Sequence, residues 1–417
     1  MDKTFKFIAL GCKVNTYENS ATEEIFRIHG YTLNEKDPEV IVINTCSVTS
    51  TADQKSRQII RRERRNFPNA IIVTMGCYSQ HASEIIKGFN ADIILGVKYR
   101  NKIFDLVEEF KKNHAQIVLI SDDTRHLEYE SFISFAVPES TRAYIKIEDG
   151  CNNFCTYCLI PYIRGNARSR PKDEIINEIK HLMSLGYKEF VLTGIHTAHY
   201  GVDIKGLTFS DLVEEILDIP NLYRLRISSI EESEIDDKLI ELIRTRKNLA
   251  SHLHMPLQSG CKDTLKRMGR KYNVDDFLTK VSRIREANPD IAITTDVIVG
   301  FPGESEEHFN ETYEFIKKVN FAELHVFPFS AREGTKAYTM KDQVDPKVKT
   351  ERVNKLLKLS KELEKNYRDR FIGKEMEIII EERNKLTGLL SGYTSNYLKV
   401  NVDLPDSYIG QVVKIKI

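Results

Sequence analysis

Strand-like and helix-like runs alternate along this chain from Phe5 to Phe327, and that alternation is the strongest restraint on its fold. Short β-branched apolar runs separated by amphipathic stretches build parallel sheets, because each helix returns the chain to the same edge. In the first part the strand-like runs are Phe5 to Leu10, Val40 to Asn44, Ala70 to Thr74 and Asp92 to Leu95. Helical patterns follow at Tyr17 to His29, Ala52 to Arg65, His81 to Lys87 and Lys102 to Phe110. The spacing predicts an α/β domain over 1–112 with a doubly wound parallel sheet. In such sheets the carboxyl ends of the strands form the ligand crevice. Cys12, Cys46 and Cys77 each fall just past the end of a different strand. Singly, each would pass for a small buried hydrophobe. Together, at one topological place, they are candidates to hold a single metal centre with no fourth ligand.

A second cysteine set follows another extended run, Ala143 to Ile147. Cys151, Cys155 and Cys158 stand at C-x3-C-x2-C spacing. A structural zinc site closes with four ligands, and a ferredoxin supplies a fourth cysteine per cluster. The next cysteine, Cys261, lies far downstream without partners at ligand spacing, and we read it as a non-ligand. A 4Fe–4S cluster with one open iron fits this set, with a zinc knuckle as the alternative.

The rest of the chain sets bounds on class. Its 417 residues exceed one ordinary domain. Hydrophobic content of 41% with 29% charged residues describes a globular chain. No apolar run approaches the roughly 18 residues that span a bilayer, and the apolar start from Phe5 to Cys12 is too short for a signal h-region. Seven cysteines, an odd number, argue for a reducing compartment rather than a disulfide framework, so a cytoplasmic location is expected. Lys plus Arg equals Asp plus Glu at 61 each, so any nucleic-acid site must be a local patch.

Residues 113–140 read as a linker. From 141 to 340 further units alternate, with strands near Glu189 to Thr193, Leu222 to Ile227, His252 to Met255, Ile291 to Val299 and Phe321 to Phe327. With the run before the cysteine loop they make six, which fits a partial (β/α)6 barrel whose function lies at the strand C-terminal ends. Ser305 is the expected N-cap of the last helix, with Glu306 and Glu307 in its first turn. A connecting amphipathic helix is expected over 341–374. Residues 375–417 switch to short strands and predict a small β-barrel. Arg164, Arg168 and Arg170 are candidate phosphate contacts, against the plainer reading of a solvent-exposed helix start. Tyr393, Tyr397 and Lys399 are candidates to stack on bases or meet phosphate.

C-x3-C-x2-C with Tyr157 before the third cysteine resembles the radical S-adenosylmethionine enzymes. Leu10-Gly11-Cys12-Lys13-Val14-Asn15, Asn44-Thr45-Cys46-Ser47-Val48-Thr49 and Gly76-Cys77-Tyr78-Ser79-Gln80 resemble the methylthiotransferase branch of that family. The resemblance covers nearly the whole chain in order. It implies two 4Fe–4S clusters, S-adenosylmethionine as both methyl donor and radical source, a central radical-enzyme barrel and a terminal RNA-binding TRAM-like barrel. It implies cluster ligation by Cys12, Cys46 and Cys77 and by Cys151, Cys155 and Cys158. It places S-adenosylmethionine against Tyr157, Thr193, Gly194, Ser229, Gln258, Val299 and Gly300. No catalytic residue beyond the cluster ligands is implied. Leu-Gly-Cys-Lys-Val-Asn and Gly392 to Tyr397 look most like the subgroup acting on N6-threonylcarbamoyladenosine beside the anticodon. Isopentenyl-adenosine in tRNA and a ribosomal-protein aspartate are the alternative substrates. The implied partners are tRNA and an electron donor such as flavodoxin or ferredoxin, with no membrane and no DNA. The rival from another class is a non-catalytic, zinc-stabilised RNA-binding protein.

Overall fold

The computed structural model describes residues 3–132 and 140–417. Residues 133–139, part of the segment read as a linker, lie outside the described residues. The chain packs as two compact units. The first comprises Met1–Glu139, Lys146–Phe154 and Cys158–Pro171, and the second comprises Ser140–Ile145, Cys155–Tyr157 and Lys172–Ile417.

In the first unit the elements run β1 (Thr4–Ala9), α1 (Lys13–Ile28), β2 (Thr32–Leu33), β3 (Val40–Thr45), α2 (Ser50–Asn66), β4 (Ile71–Gly76), α3 (Cys77–His81), α4 (Ser83–Lys87), β5 (Ile93–Leu95), α5 (Ile103–Asn113) and β6 (Ile117–Leu119). The strands form one sheet in the order β2-β1-β3-β4-β5-β6, with every pair parallel. Helices cover both faces, so β3 and β4 are buried at every position and read as continuous apolar runs rather than alternating ones. Phe5, Phe26, Val40, Val42 and Val73 pack on one side of the sheet. Ile41, Ile43, Ile60, Ile72 and Ile94 pack on the other. The chain order reverses between β1 and β3, which is where open α/β sheets place a ligand crevice.

Two local expectations change. The helix expected from His81 to Lys87 is two short ones, because it begins at Cys77 and breaks at Ala82 (φ −129°, ψ 37°). Within the segment read as a linker, β6 pairs with β5 and finishes the sheet.

The second unit begins with β7 (Arg142–Lys146), whose last residue belongs to the first. β8 (Glu148–Asp149), α6 (Ile160–Arg164) and β9 (Arg168–Ser169), next in the chain, pack with the first unit, β8 and β9 pairing antiparallel. Next come α7 (Lys172–Ser184), β10 (Glu189–Thr193), α8 (Phe209–Leu217), β11 (Arg224–Ile227), α9 (Asp237–Thr245), β12 (His252–His254), α10 (Lys262–Met268), α11 (Val274–Ala287), β13 (Ala292–Val299), α12 (Glu306–Val319) and β14 (Glu323–Pro328). Two three-stranded sheets, β11-β10-β7 and β12-β13-β14, are bridged by Leu225–Leu249 and Ser229–His254 pairing, giving the open six-stranded barrel wall. Ser305 caps α12 and forms a reciprocal capping box with His308. α13 (Pro346–Asp369) leads to β15 (Glu375–Arg383), β16 (Leu390–Thr394), β17 (Lys399–Val402) and β18 (Val412–Lys416), an antiparallel sheet ordered β17-β16-β15-β18.

That terminal sheet closes the base of the barrel wall. Arg224 Nη1 reaches Glu189 Oε2 at 3.0 Å and donates to the Tyr393 carbonyl at 3.2 Å. Arg226 Nε donates to Glu189 Oε1 at 2.6 Å, and its Nη1 donates to the Ser395 carbonyl at 3.1 Å. All lie at or near the N-terminal ends of β10 and β11, opposite the end expected to hold chemistry.

Candidate active site

Cys12, Cys46 and Cys77 follow β1, β3 and β4, which are adjacent in the sheet, so parallel topology alone brings them to one edge. Cys12 is the N-cap of α1, and Cys77 is the first residue of α3. The approach is close. Gly11, at φ +102°, lies against the second cysteine, where an added Cβ would sit 2.7 Å from Cys46 Sγ. Asn15 Nδ2 donates to the Leu10 carbonyl at 2.6 Å and to the Thr45 carbonyl at 3.1 Å, so one amide ties the two loops together.

Cys46 and Cys77 are each 4% exposed, while Cys12 is exposed. Burial, reinforced by the neighbouring Cys77 and Cys12, pushes the Cys46 thiol up to about 12. Burial also raises Cys77, against the pull of Arg164. A soft cation binds cysteine as thiolate, so it would offset the cost that burial and the neighbouring sulfur impose on Cys46 and Cys77. The donor set therefore fits an iron–sulfur cluster with three cysteine ligands, and no fourth cysteine is near in sequence.

The residues of the second loop divide between the two units. Asp149, Gly150 and Cys151 pack with the first, where Cys151 N–H donates to the Gly165 carbonyl at 3.0 Å. Gly150 takes φ +86°, and a Cβ there would lie 2.0 Å from the Asn166 carbonyl oxygen, so only glycine lets the loop turn into its first cysteine. Cys155 and Tyr157 pack with the second unit. Cys155 Sγ accepts a hydrogen bond from Arg270 Nη1 at 3.3 Å, and Thr156 Oγ1 donates to the Arg267 carbonyl at 2.8 Å. Tyr157 meets Phe301 edge-on at 6.3 Å.

Of the residues expected around S-adenosylmethionine, Thr193 ends β10 and Gly194 follows it. Ser229 and Gln258 lie on the same C-terminal side, Gln258 at φ +62° with its backbone joined to Asp296 and Ile298. Val299 ends β13 and Gly300 follows it; Val299 is 1% exposed and shares its side of the strand with buried Ile293 and Val297. Gly300 N–H donates to Glu304 Oε1 at 2.8 Å.

The expected RNA contacts fare differently. Arg164, Arg168 and Arg170 are 0%, 6% and 4% exposed, so they do not form a solvent-facing basic patch. Arg164 and Arg168 pair with Asp149 instead. Tyr393 and Tyr397 stack on each other at 4.8 Å. The Tyr397 ring also lies on His252 at 4.3 Å, with Arg142 over Tyr393 at 4.8 Å, so these rings are engaged within the fold. Lys399 remains exposed.

A layer of ionisable groups escaped the sequence reading. His254, Asp296 and His325 stand on β12, β13 and β14, with His254 Nε2 at 3.3 Å and His325 Nδ1 at 3.2 Å from Asp296. Hydrogen bonds to Asp296 and Glu323 raise His325 to about 9. Its ordinary value is about 6.5, so its stabilisation is fully present below about pH 6.5 and is lost as pH rises through about 9. Over that interval the urea midpoint of the native protein is expected to fall more than that of His325→Gln. Parallel slopes for the two proteins would refute the assignment.

Comparison with known proteins agrees with this architecture. Matching family models are the radical SAM superfamily over 145–316, the uncharacterized protein family UPF0004 over 4–96 and the TRAM domain over 369–417. Among solved structures, the radical S-adenosylmethionine methyltransferase TsrM from Kitasatospora setae aligns with a TM-score of 0.58 at 13% identity, covering 81% of this chain and 74% of that one. At that identity the likeness shows the fold alone; the radical SAM model, whose match spans the three-cysteine loop, gives the class. The threonylcarbamoyladenosine tRNA methylthiotransferase MtaB of Bacillus subtilis (strain 168) is 45% identical, over 99% of this chain and 93% of the relative. The protein of that name from Thermotoga maritima is 38% identical over 95% and 91%. A tRNA-2-methylthio-N(6)-dimethylallyladenosine synthase from Caldicellulosiruptor saccharolyticus is 35% identical over 100% and 90%. The chain belongs to the radical S-adenosylmethionine methylthiotransferase family. A 4Fe–4S cluster and S-adenosylmethionine are the cofactors that membership implies. Among the described residues, no helix is long and apolar enough to cross a membrane.

Proposed function

We propose that this protein inserts a methylthio group at C2 of N6-threonylcarbamoyladenosine, next to the anticodon of tRNA. The observation that carries the reading is the presence in one chain of two separate three-cysteine sets, each without a fourth cysteine at ligand spacing. The substrate follows the names carried by the more similar full-length relatives. Cys151, Cys155 and Cys158 would hold one 4Fe–4S cluster, and Cys12, Cys46 and Cys77 a second that handles the incoming sulfur. Bound with S-adenosylmethionine, a cluster of this kind supplies the single electron that splits the sulfonium and yields a hydrogen-abstracting carbon radical. Radical chemistry suits this substrate because the aromatic C–H offers no acidic proton to a general base.

The chain's own residues then have defined tasks. Arg270 donates to the sulfur of Cys155 and fixes the loop on the second unit. Thr193, Gly194, Ser229, Gln258 and Gly300 present backbone and small side chains at the strand ends, where a nucleoside can approach closely. Residues 1–112 would carry the sulfur site, 141–340 the radical site and, beyond the helix of 341–374, 375–417 the tRNA contact, with Lys399 exposed to meet phosphate. A flavodoxin or ferredoxin in the cytoplasm would supply electrons.

The test is mass spectrometry of nucleosides after the reconstituted protein is incubated with S-adenosylmethionine, dithionite and threonylcarbamoylated tRNA. A gain of one methylthio group on that adenosine is expected. Methylthiolation of isopentenyl-adenosine, or of a ribosomal-protein aspartate, with the threonylcarbamoyl nucleoside untouched would overturn the substrate. Tightly bound zinc without sulfide would overturn the enzyme.

A further inference from the structure

One side chain addresses all three cysteine-bearing strand ends of the first unit. Arg164, at the end of α6, is fully buried, and each of its five N–H hydrogens has an acceptor. Nη1 donates to Glu18 Oε1 at 2.9 Å and Asp149 Oδ1 at 3.0 Å. Nη2 donates to Glu18 Oε2 at 3.2 Å and Asn15 Oδ1 at 3.3 Å. Nε donates to Cys77 Sγ at 3.2 Å. The bond to Asn15 Oδ1 turns that amide so that its Nδ2 faces the carbonyls of Leu10 and Thr45, directly ahead of Gly11-Cys12 and Cys46. The guanidinium thus reaches the Cys77 sulfur directly and the other two loops through one intermediary.

Neutralising the carboxylates does not account for this placement. Arg100 Nη1 lies 2.5 Å from Glu18, and Lys146 Nζ lies 2.8 Å from Glu18 and 2.7 Å from Asp149. Arg100 also pairs with Glu130, and Arg168 with Asp149. Among these seven side chains four cations (Arg100, Lys146, Arg164, Arg168) meet three carboxylates (Glu18, Glu130, Asp149), leaving one positive charge over. The member of the set with an N–H on a cysteine sulfur is Arg164. Hydrogen bonds to ligand sulfurs and local net charge are what set the reduction potential of an iron–sulfur cluster.

We propose that Arg164 is a positioning residue for the Cys12–Cys46–Cys77 site: it aligns the three strand ends and, through the N–H on Cys77 Sγ, raises the reduction potential of the cluster bound there. The proposal rests on the reading of those cysteines as cluster ligands, and it assigns to the segment after the second cysteine loop a part in the chemistry of the first. Lysine cannot replace it, because a point ammonium cannot span two carboxylates, an amide and a sulfur at once.

The experiment uses the full chain with Cys151, Cys155 and Cys158 all changed to alanine, so that iron binds at the first site alone. After anaerobic reconstitution, the reduced protein grown with 15N-arginine is measured by electron–nuclear double resonance, and its midpoint potential is titrated. About four irons per chain and an arginine nitrogen coupling are expected. That coupling should vanish in Arg164→Lys, and Arg164→Gln should titrate at a more negative potential. Four irons without an arginine coupling overturns the proposal even if neither variant folds, as does a coupling that survives in Arg164→Lys or an unmoved potential in Arg164→Gln. Failure to bind iron and sulfide would instead overturn the cluster reading beneath it.

Discussion

Cys151→Ala is expected to abolish formation of 5′-deoxyadenosine from S-adenosylmethionine, while Cys46→Ala keeps that reaction and loses the methylthio product. The two substitutions strike different three-cysteine sets, so on the two-cluster proposal each should remove about four of about eight irons. Losing a ligand outright should exceed the roughly 10–100-fold that outer-shell partners cost, so the drop in 5′-deoxyadenosine should exceed about 100-fold. Chromatography of the products under dithionite, with iron assayed on the same samples, decides the matter. If Cys46→Ala retained about four irons yet formed no 5′-deoxyadenosine, the division of labour would be wrong.

The second large effect is on stability. Glu18 is fully buried on α1, and Arg100, Lys146 and Arg164 approach its carboxylate at 2.5, 2.8 and 2.9 Å. Burial alone would raise its pKa, but the three cations outweigh burial and hold it ionised far below the usual carboxylate range. Removing one partner of a buried ion cluster leaves its counter-charges without compensation, which typically costs about 3–5 kcal/mol. That is a large share of the roughly 5–15 kcal/mol by which domains are stable. Glu18→Ala should therefore lower the urea midpoint of the first unit steeply at pH 7. The stabilisation is present above the ordinary glutamate pKa and is lost only as pH falls through the depressed folded value, so native and variant proteins should converge in strong acid. A change below about 1 kcal/mol, the range of exposed pairs, would show that the network relaxes around the loss.

The sequence made some of this legible and hid the rest for physical reasons. The cysteines after β1, β3 and β4 could be placed because strand ends are marked locally, by an apolar run giving way to Gly-Cys or Thr-Cys. Their convergence then follows from parallel topology. Arg164 could not be placed that way. Arginine is seldom fully buried, and its partner Glu18 is 146 residues away, so a run of arginines after a loop resembles a basic surface. Tyr393 and Tyr397 read in the sequence as an aromatic pair beside lysine, whereas the contacts of His252 and Arg142 on those rings come from residues distant in the chain, which no local pattern shows. The His254–Asp296–His325 layer depends on the register of three neighbouring strands, which no local pattern encodes. β6 was missed because three half-buried residues at a sheet edge leave little periodicity.

The arginine pairs at the barrel's base bear on how such a protein can be taken apart. Arg224 donates to the Tyr393 carbonyl and Arg226 to the Thr394 carbonyl of β16, and Ser251 N–H donates to Ser395 Oγ at 3.0 Å. A chain truncated at Asp369 would leave those donors unmatched and expose the face of His252 that Tyr397 covers. The terminal β-module is therefore a structural floor as well as an appendage, and recombination that exchanged it between relatives would have to carry the matching residues of β10, β11 and β12 with it.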